Sequence, residues 1–302
     1  MTLRTKTFTV RFYTPRYGAD GAAGSIFNDL LKYCPKAATK KKTSKKNTMP
    51  IMAAGDTAYQ IRGLITSLNG DSISGYLVRF RLDKPAVGSK SNLDEEYLEL
   101  DGDKEFIEKN HFILFKERTS ELMGFQCCRE GAVISVLGRY LTFLNGESET
   151  ISFDDILTRE SLDVIFNKGL IKSVEFSVMR PLGKKYKPNP NDTWTQDSFE
   201  ILNGVGGNKF TAKIAVTAKD KGLLNKTKTK IKKLISSEYT KKLKVKVSGE
   251  SEPIDLLAER IAGKIHVPVQ LGGIIKPEDI YSAIRDVKDQ KQHHIDANYS
   301  DE

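Results

Sequence analysis

The sequence contains no apolar run long enough to cross a bilayer as a helix, which takes roughly 18 residues. Its most apolar stretch, GAVISVLGRYLTFL (131–144), is broken by Arg139. Cysteine is scarce. Cys34, Cys127 and Cys128 supply no disulfide framework, and on a strand the adjacent pair points to opposite faces. No cysteine or histidine stands at zinc spacing beside them. The four histidines are dispersed: His111 and His266 fall on expected strands, His293 and His294 in a polar tail. The opening residues, MTLRTKTFTV, lack the apolar centre of a secretory leader. Together these absences point to a reducing, cytoplasmic setting and to no direct membrane insertion.

Signatures of small-molecule and cofactor chemistry are missing as well. There is no Walker lysine loop. Gly204-Val205-Gly206-Gly207 follows an expected helix and precedes a strand, the reverse of a dinucleotide fingerprint, so it reads as a turn. No cofactor is expected. The acid-rich LDEEYLELDGDKE (93–105), beside Lys104, is the one candidate for magnesium-dependent chemistry. It supports an alternative reading as a nuclease or toxic effector, against the favoured reading without catalysis. Helix-turn-helix, zinc-finger and RRM devices for reading bases are also absent.

What the chain has is positive charge, concentrated in one place. Lys and Arg number 48 against 39 Asp and Glu, a formal balance of +9. The segment KDKGLLNKTKTKIKKLISSEYTKKLKVKV (219–247) holds eleven lysines and two acids, so its own balance of 11 − 2 = +9 equals that of the whole chain. Elsewhere the charges cancel. Spacing predicts a helix over 224–236, with Leu224, Ile231 and Ile235 on one face. Lys226, Lys230 and Lys233 fall opposite, flanked by Lys228 and Lys232. A strand follows Lys241, with Leu243, Val245 and Val247 inward and Lys242, Lys244 and Lys246 outward. Those three lie about 6.6 Å apart, close to two base steps of a duplex.

Such ridges fit a polyanion, and double-stranded DNA is the expected partner. Lysine serves phosphates as a point charge, while base edges are read by arginine, asparagine or glutamine, so binding is expected to be sequence-nonspecific. A membrane surface fits less well, because the apolar residues of the helix are needed by the core. The basic loop RPLGKKYKPNPN (180–191) is expected to extend the site through Arg180, Lys184, Lys185 and Lys187. A second lysine-rich stretch, PKAATKKKTSKKNTMP (35–50), reads as a mobile loop whose part in binding stays open. An interaction subunit docking an acidic protein is the remaining alternative.

The element pattern is that of an α+β protein with two mixed sheet-and-helix lobes. The first, 1–168, has a strand at 6–13, a helix at 25–33, hairpins over 59–82 and 111–128, a helix near 131–144 and a helical stretch at 151–169. The second, 169–302, has strands at 171–179, 208–217, 241–247 and 264–270. Its helices start at Thr193, whose spacing to Gln196 fits a capping box, at Leu224, near Pro253 and at Pro277, and pack over one sheet face.

The succession GFQCCREGAVISVLGRYLTFL (124–144), IKSVEFSVMRPLGKK (171–185) and a lysine-rich β-segment resembles the RexA family of phage exclusion proteins. The matching positions are Gly124-Phe125, Phe143-Leu144 and Met179-Arg180. The resemblance implies a fold related to the recombination protein RdgC and a cytoplasmic homodimer that binds DNA without regard to sequence. It also implies a role in phage defence and abortive infection, sensing phage replication or recombination intermediates and signalling to an inner-membrane partner.

Overall fold

The computed structural model describes residues 4–18, 24–35, 49–81, 86–88, 95–102, 104–117, 120–128, 131–180, 192–218, 220–237, 239–250, 252–270 and 273–297. In chain order the elements are β1 (Arg4–Tyr17), α1 (Ile26–Leu31), β2 (Met52–Ala54), β3 (Thr57–Thr66), β4 (Ser72–Phe80), β5 (Ala86–Gly88) and β6 (Glu95–Tyr97). There follow β7 (Ile107–Lys116), β8 (Glu121–Cys127), α2 (Ile134–Leu144), β9 (Ile151–Asp155), α3 (Arg159–Leu162) and a π-helical turn (Asp163–Lys168). The remainder is β10 (Ile171–Met179), α4 (Thr193–Val205), β11 (Lys209–Ala215), α5 (Lys226–Ser236), β12 (Thr240–Val247), β13 (Ile254–Asp255), β14 (Ala262–Val269) and α6 (Pro277–Ala297). The fold class is α+β, with antiparallel sheets covered by helices.

The chain divides into two units that interleave in sequence, so one boundary near residue 168 does not describe them. Unit 1 comprises Met1–Val10, Gly24–Ile151 and Lys264–Arg285; unit 2 comprises Arg11–Ala23, Ser152–Gly263 and Asp286–Glu302. The division passes through β1, β14 and α6, which is why a reading by consecutive segments misses it.

Unit 1 is built on the strand order β14-β1-β8-β7-β4-β3-β2. The β3–β4 hairpin turns at Asn69-Gly70, where Gly70 takes φ +68, a left-handed conformation that glycine adopts without steric penalty. Ser25 caps α1 as its position suggests: its hydroxyl accepts from the Asn28 amide at 3.1 Å and donates to Glu121 at 2.5 Å.

In unit 2, β9 pairs with β1, and a separate four-stranded sheet runs β11-β10-β12-β13. Four sequence expectations fail here. Residues 151–155 are extended, not helical, because Ile151 and Phe153 alternate as buried positions. The segment after Pro253 forms β13 and a turn instead of a helix, since Ile254 pairs with Val245 at the sheet edge. Helix α4 is capped not by Thr193 but by Asp192, whose carboxylate accepts from the Thr195 amide at 3.2 Å. Asp is as good a cap as Thr and stands one residue earlier. The two C-terminal histidines lie on α6, not in a tail.

Among the described residues, the apolar core of the four-stranded sheet lies on one of its faces. Val174, Phe176 and Val178 of β10 and Leu243, Val245 and Val247 of β12 form a core with Phe199 and Leu202 of α4 and Ile231, Leu234 and Ile235 of α5. Trp194 stacks on Phe176 at 5.2 Å. Burying each such side chain contributes about 1.5–3 kcal/mol, so this apolar face fixes which way the alternate residues point. The entry to β10 is tight. A Cβ on Gly169 would lie 2.1 Å from Val247 Cγ1 and 3.3 Å from the Ser248 carbonyl oxygen. Gly169→Ala is therefore expected to destabilise the protein by about 1–3 kcal/mol through overpacking. An unshifted urea midpoint would contradict this.

Candidate nucleic-acid interface

The register of the sheet decides where the lysines go. β12 alternates with Leu243, Val245 and Val247 in the core, which sends Lys242, Lys244 and Lys246, each half-buried, to the opposite face. β10 supplies Ser173, Glu175, Ser177 and Met179 to that face. On β11, Phe210 and Ala212 pack toward the core, so Lys209, Thr211 and Lys213 turn outward and are exposed. The pairing lines these residues up in rows across the strands: Lys242–Ser177–Thr211, Asp255–Lys244–Glu175–Lys213 and Lys246–Ser173–Ala215, with Lys209 opposite Met179 at one end.

Five lysines thus share one sheet face with two acids, Glu175 and Asp255. Lys242 Nζ donates to Glu175 Oε1. That hydrogen bond, with the charges of Lys242, Lys213 and Lys244, holds the Glu175 carboxyl below the usual range. Asp255 is engaged in its own loop, accepting from the Leu257 amide at 3.2 Å. Glu175 is enclosed by cations, and the surrounding field stays positive. Lys241 is exposed beside a register shift in β12. Arg180 is exposed at the end of β10, where its amide donates to the Asn208 carbonyl at 2.8 Å, next to the start of β11. Lys184, Lys185 and Lys187 lie outside the described residues, as do Lys40, Lys41 and Lys42 of the lysine loop.

The lysines of α5 do not join this face. Because Ile231, Leu234 and Ile235 enter the same core as Val245, the helix covers the inner side of the sheet. Its outward lysines point away from Lys242, Lys244 and Lys246. The expectation of one ridge shared by helix and strand is thereby corrected: neighbours in sequence, they sit on opposite sides of one layer. Lys226 and Lys232 are exposed, Lys228 and Lys233 half-buried, and Lys230 Nζ donates to Thr193 Oγ1 at the start of α4. The expected buried position Leu224 is 77% exposed, because the helix begins only at Lys226. Lys226 and Lys228 occupy the first turn, where the helix dipole disfavours cations by a few tenths of a kcal/mol and up to about 1.

Lys209 and Lys213 escaped the sequence reading. Their signal was present as alternation in KFTAKIA, but without the β10 register nothing linked them to β12. The 93–105 acids are described only in part; Leu98 to Asp101 are exposed, and among the described residues no group of three or more His, Cys, Asp or Glu is placed to hold a metal ion. No helix among the described residues is long and apolar enough to cross a membrane. Set against family models, characterised proteins and solved structures, the chain gives no match in any of the three comparisons.

Proposed function

We propose that the protein binds double-stranded DNA through its phosphates, without reading sequence, on the lysine-bearing face of the unit 2 sheet, opposite its apolar core. One observation carries this reading. Lys209 and Lys213 on β11 and Lys242, Lys244 and Lys246 on β12 flank β10 on one face of the sheet, with Glu175 already engaged by Lys242. Lysines about 6.6 Å apart along a strand, on two strands about 9.6 Å apart with β10 between them, form a lattice suited to a charged backbone. The outward positions of β10, β11 and β12 hold no aromatic side chain, whereas single-strand binders stack bases on aromatic platforms. They offer no arginine, asparagine or glutamine fork for base edges either. The substrate class is therefore duplex, and specificity among sequences is low. The phage-exclusion setting, the cytoplasmic homodimer and the inner-membrane partner rest on the resemblance at Gly124-Phe125, Phe143-Leu144 and Met179-Arg180.

Affinity measured against salt tests the reading. Five phosphate contacts give a slope of log K against log salt of about −4.5, similar for unrelated duplexes. A slope shallower than about −2 would mean that phosphates are not what holds the complex. Incubating plasmid with the protein and magnesium separates the alternatives: retardation without cleavage is expected. Cleavage would favour the effector built on the 93–105 acids, and no retardation at low salt a docking subunit for an acidic protein.

A further inference from the structure

We propose, building on that reading, that unit 2 is bivalent and holds a second duplex on the outer side of α5 while the first lies on the sheet face. The two lysine sets face away from each other across a single core, with Ile231, Leu234 and Ile235 on one side of it and Leu243, Val245 and Val247 on the other. A helix packed on a sheet separates the two sets of ammonium groups by on the order of 20 Å. A duplex is stiff over a persistence length of about 50 nm, so one segment lying on the sheet does not turn back round so thin a layer to reach α5. The two faces therefore serve two segments.

The α5 surface is composed for a backbone. The helix contains no acid, and Lys226, Lys228, Lys232 and Lys233 lie within eight residues of one another. Lys226 and Lys228 sit where the helix dipole works against them, a placement that an anion relieves. On the neighbouring α4, Asp197 and Glu200 are exposed, and the basic strip is one helix wide. It matches a single phosphate backbone, and so is the weaker of the two faces. The consequence is bridging: one chain tethers two DNA segments.

The test uses a short duplex fixed to beads and a second, fluorescent duplex in solution, with the full-length protein limiting. The wild type is expected to retain the fluorescent duplex on the beads. K226Q/K232Q/K233Q, with an unchanged thermal midpoint, is expected to bind one duplex within about threefold of wild type yet lose bridging by at least about tenfold. K242Q/K244Q/K246Q is expected to lose bridging too. Bridging by the α5 variant at the wild-type level would overturn the proposal, since two copies would then be joining segments through their sheet faces. A wild type that binds duplex but does not bridge would overturn it while leaving the sheet-face reading intact. A wild type that binds no duplex would remove both.

Discussion

Duplex affinity is expected to fall at least about tenfold when Lys242, Lys244 and Lys246 are replaced together by glutamine, by nearly the same factor for unrelated sequences. The salt slope is expected to become shallower by about 2.7, three contacts at about 0.9 each. The fold has little reason to respond. The three side chains leave the face opposite the core, and Leu243, Val245 and Val247 keep their places in that core. Loss of the Lys242–Glu175 ion pair matters little, because the two side chains are 40% and 30% exposed. Substitutions of this kind typically change stability by no more than about 0.5 kcal/mol each. Fluorescence anisotropy over a salt series, with thermal unfolding as control, makes the measurement. The companion change K40Q/K41Q/K42Q removes the same charge from the lysine loop and is expected to have a much smaller effect. Equal loss in both variants would mean that net charge alone drives binding. Loss confined to the loop variant would move the site there.

How far the sequence leads can be seen on these same residues. Alternation over Lys241–Val247 places the lysines of β12 correctly, because a period of two needs only a buried face to orient it. The helical period of α5 is equally legible in Ile231, Leu234 and Ile235. Local patterns, however, give each element its own inside and outside, not which side of a neighbour it packs against. That relation is set by long-range pairing, Val174 with Val245 and Phe176 with Leu243, which no window of adjacent residues contains. Lys209 and Lys213 were lost for the same reason. Their strand is joined to the site by its register with β10, across a separation in sequence that includes all of α4. The interleaved units escape local reading in the same way, since β1 and β14 belong to strand neighbours distant in the chain.

Arg260→Met is expected to destabilise unit 2 by about 3–5 kcal/mol at pH 7, a large share of a typical domain's total stability of about 5–15 kcal/mol. Arg260 Nε lies 3.2 Å from Asp155 Oδ2, with the two side chains only 11% and 5% exposed, and Nη2 donates to the Ile235 carbonyl in the last turn of α5. The guanidinium therefore neutralises a buried carboxylate and ties down the end of the lysine helix. Burial pushes the Asp155 carboxyl up to about 6, against the opposing pull of Arg260 and then Arg11. An unfolded Asp titrates near 3.9, so between about pH 4 and pH 6 the folded state binds more protons than the unfolded state. Stability carried by this group accordingly falls as pH rises through that window, by up to about 3 kcal/mol. Removing Arg260 removes one of the charges that favour the ionised form. The carboxyl then rises further, and the loss extends to higher pH. Arg260→Met is thus expected to recover much of its deficit between pH 7 and pH 5, where Asp155 becomes neutral. Asp155→Asn combined with Arg260→Met is expected to be more stable at pH 7 than Arg260→Met alone, because no buried charge remains uncompensated. Urea unfolding of the three proteins at both pH values makes the comparison. A deficit below about 1 kcal/mol at pH 7, or one that is the same at pH 5, would show that the pair does not carry the stability assigned to it.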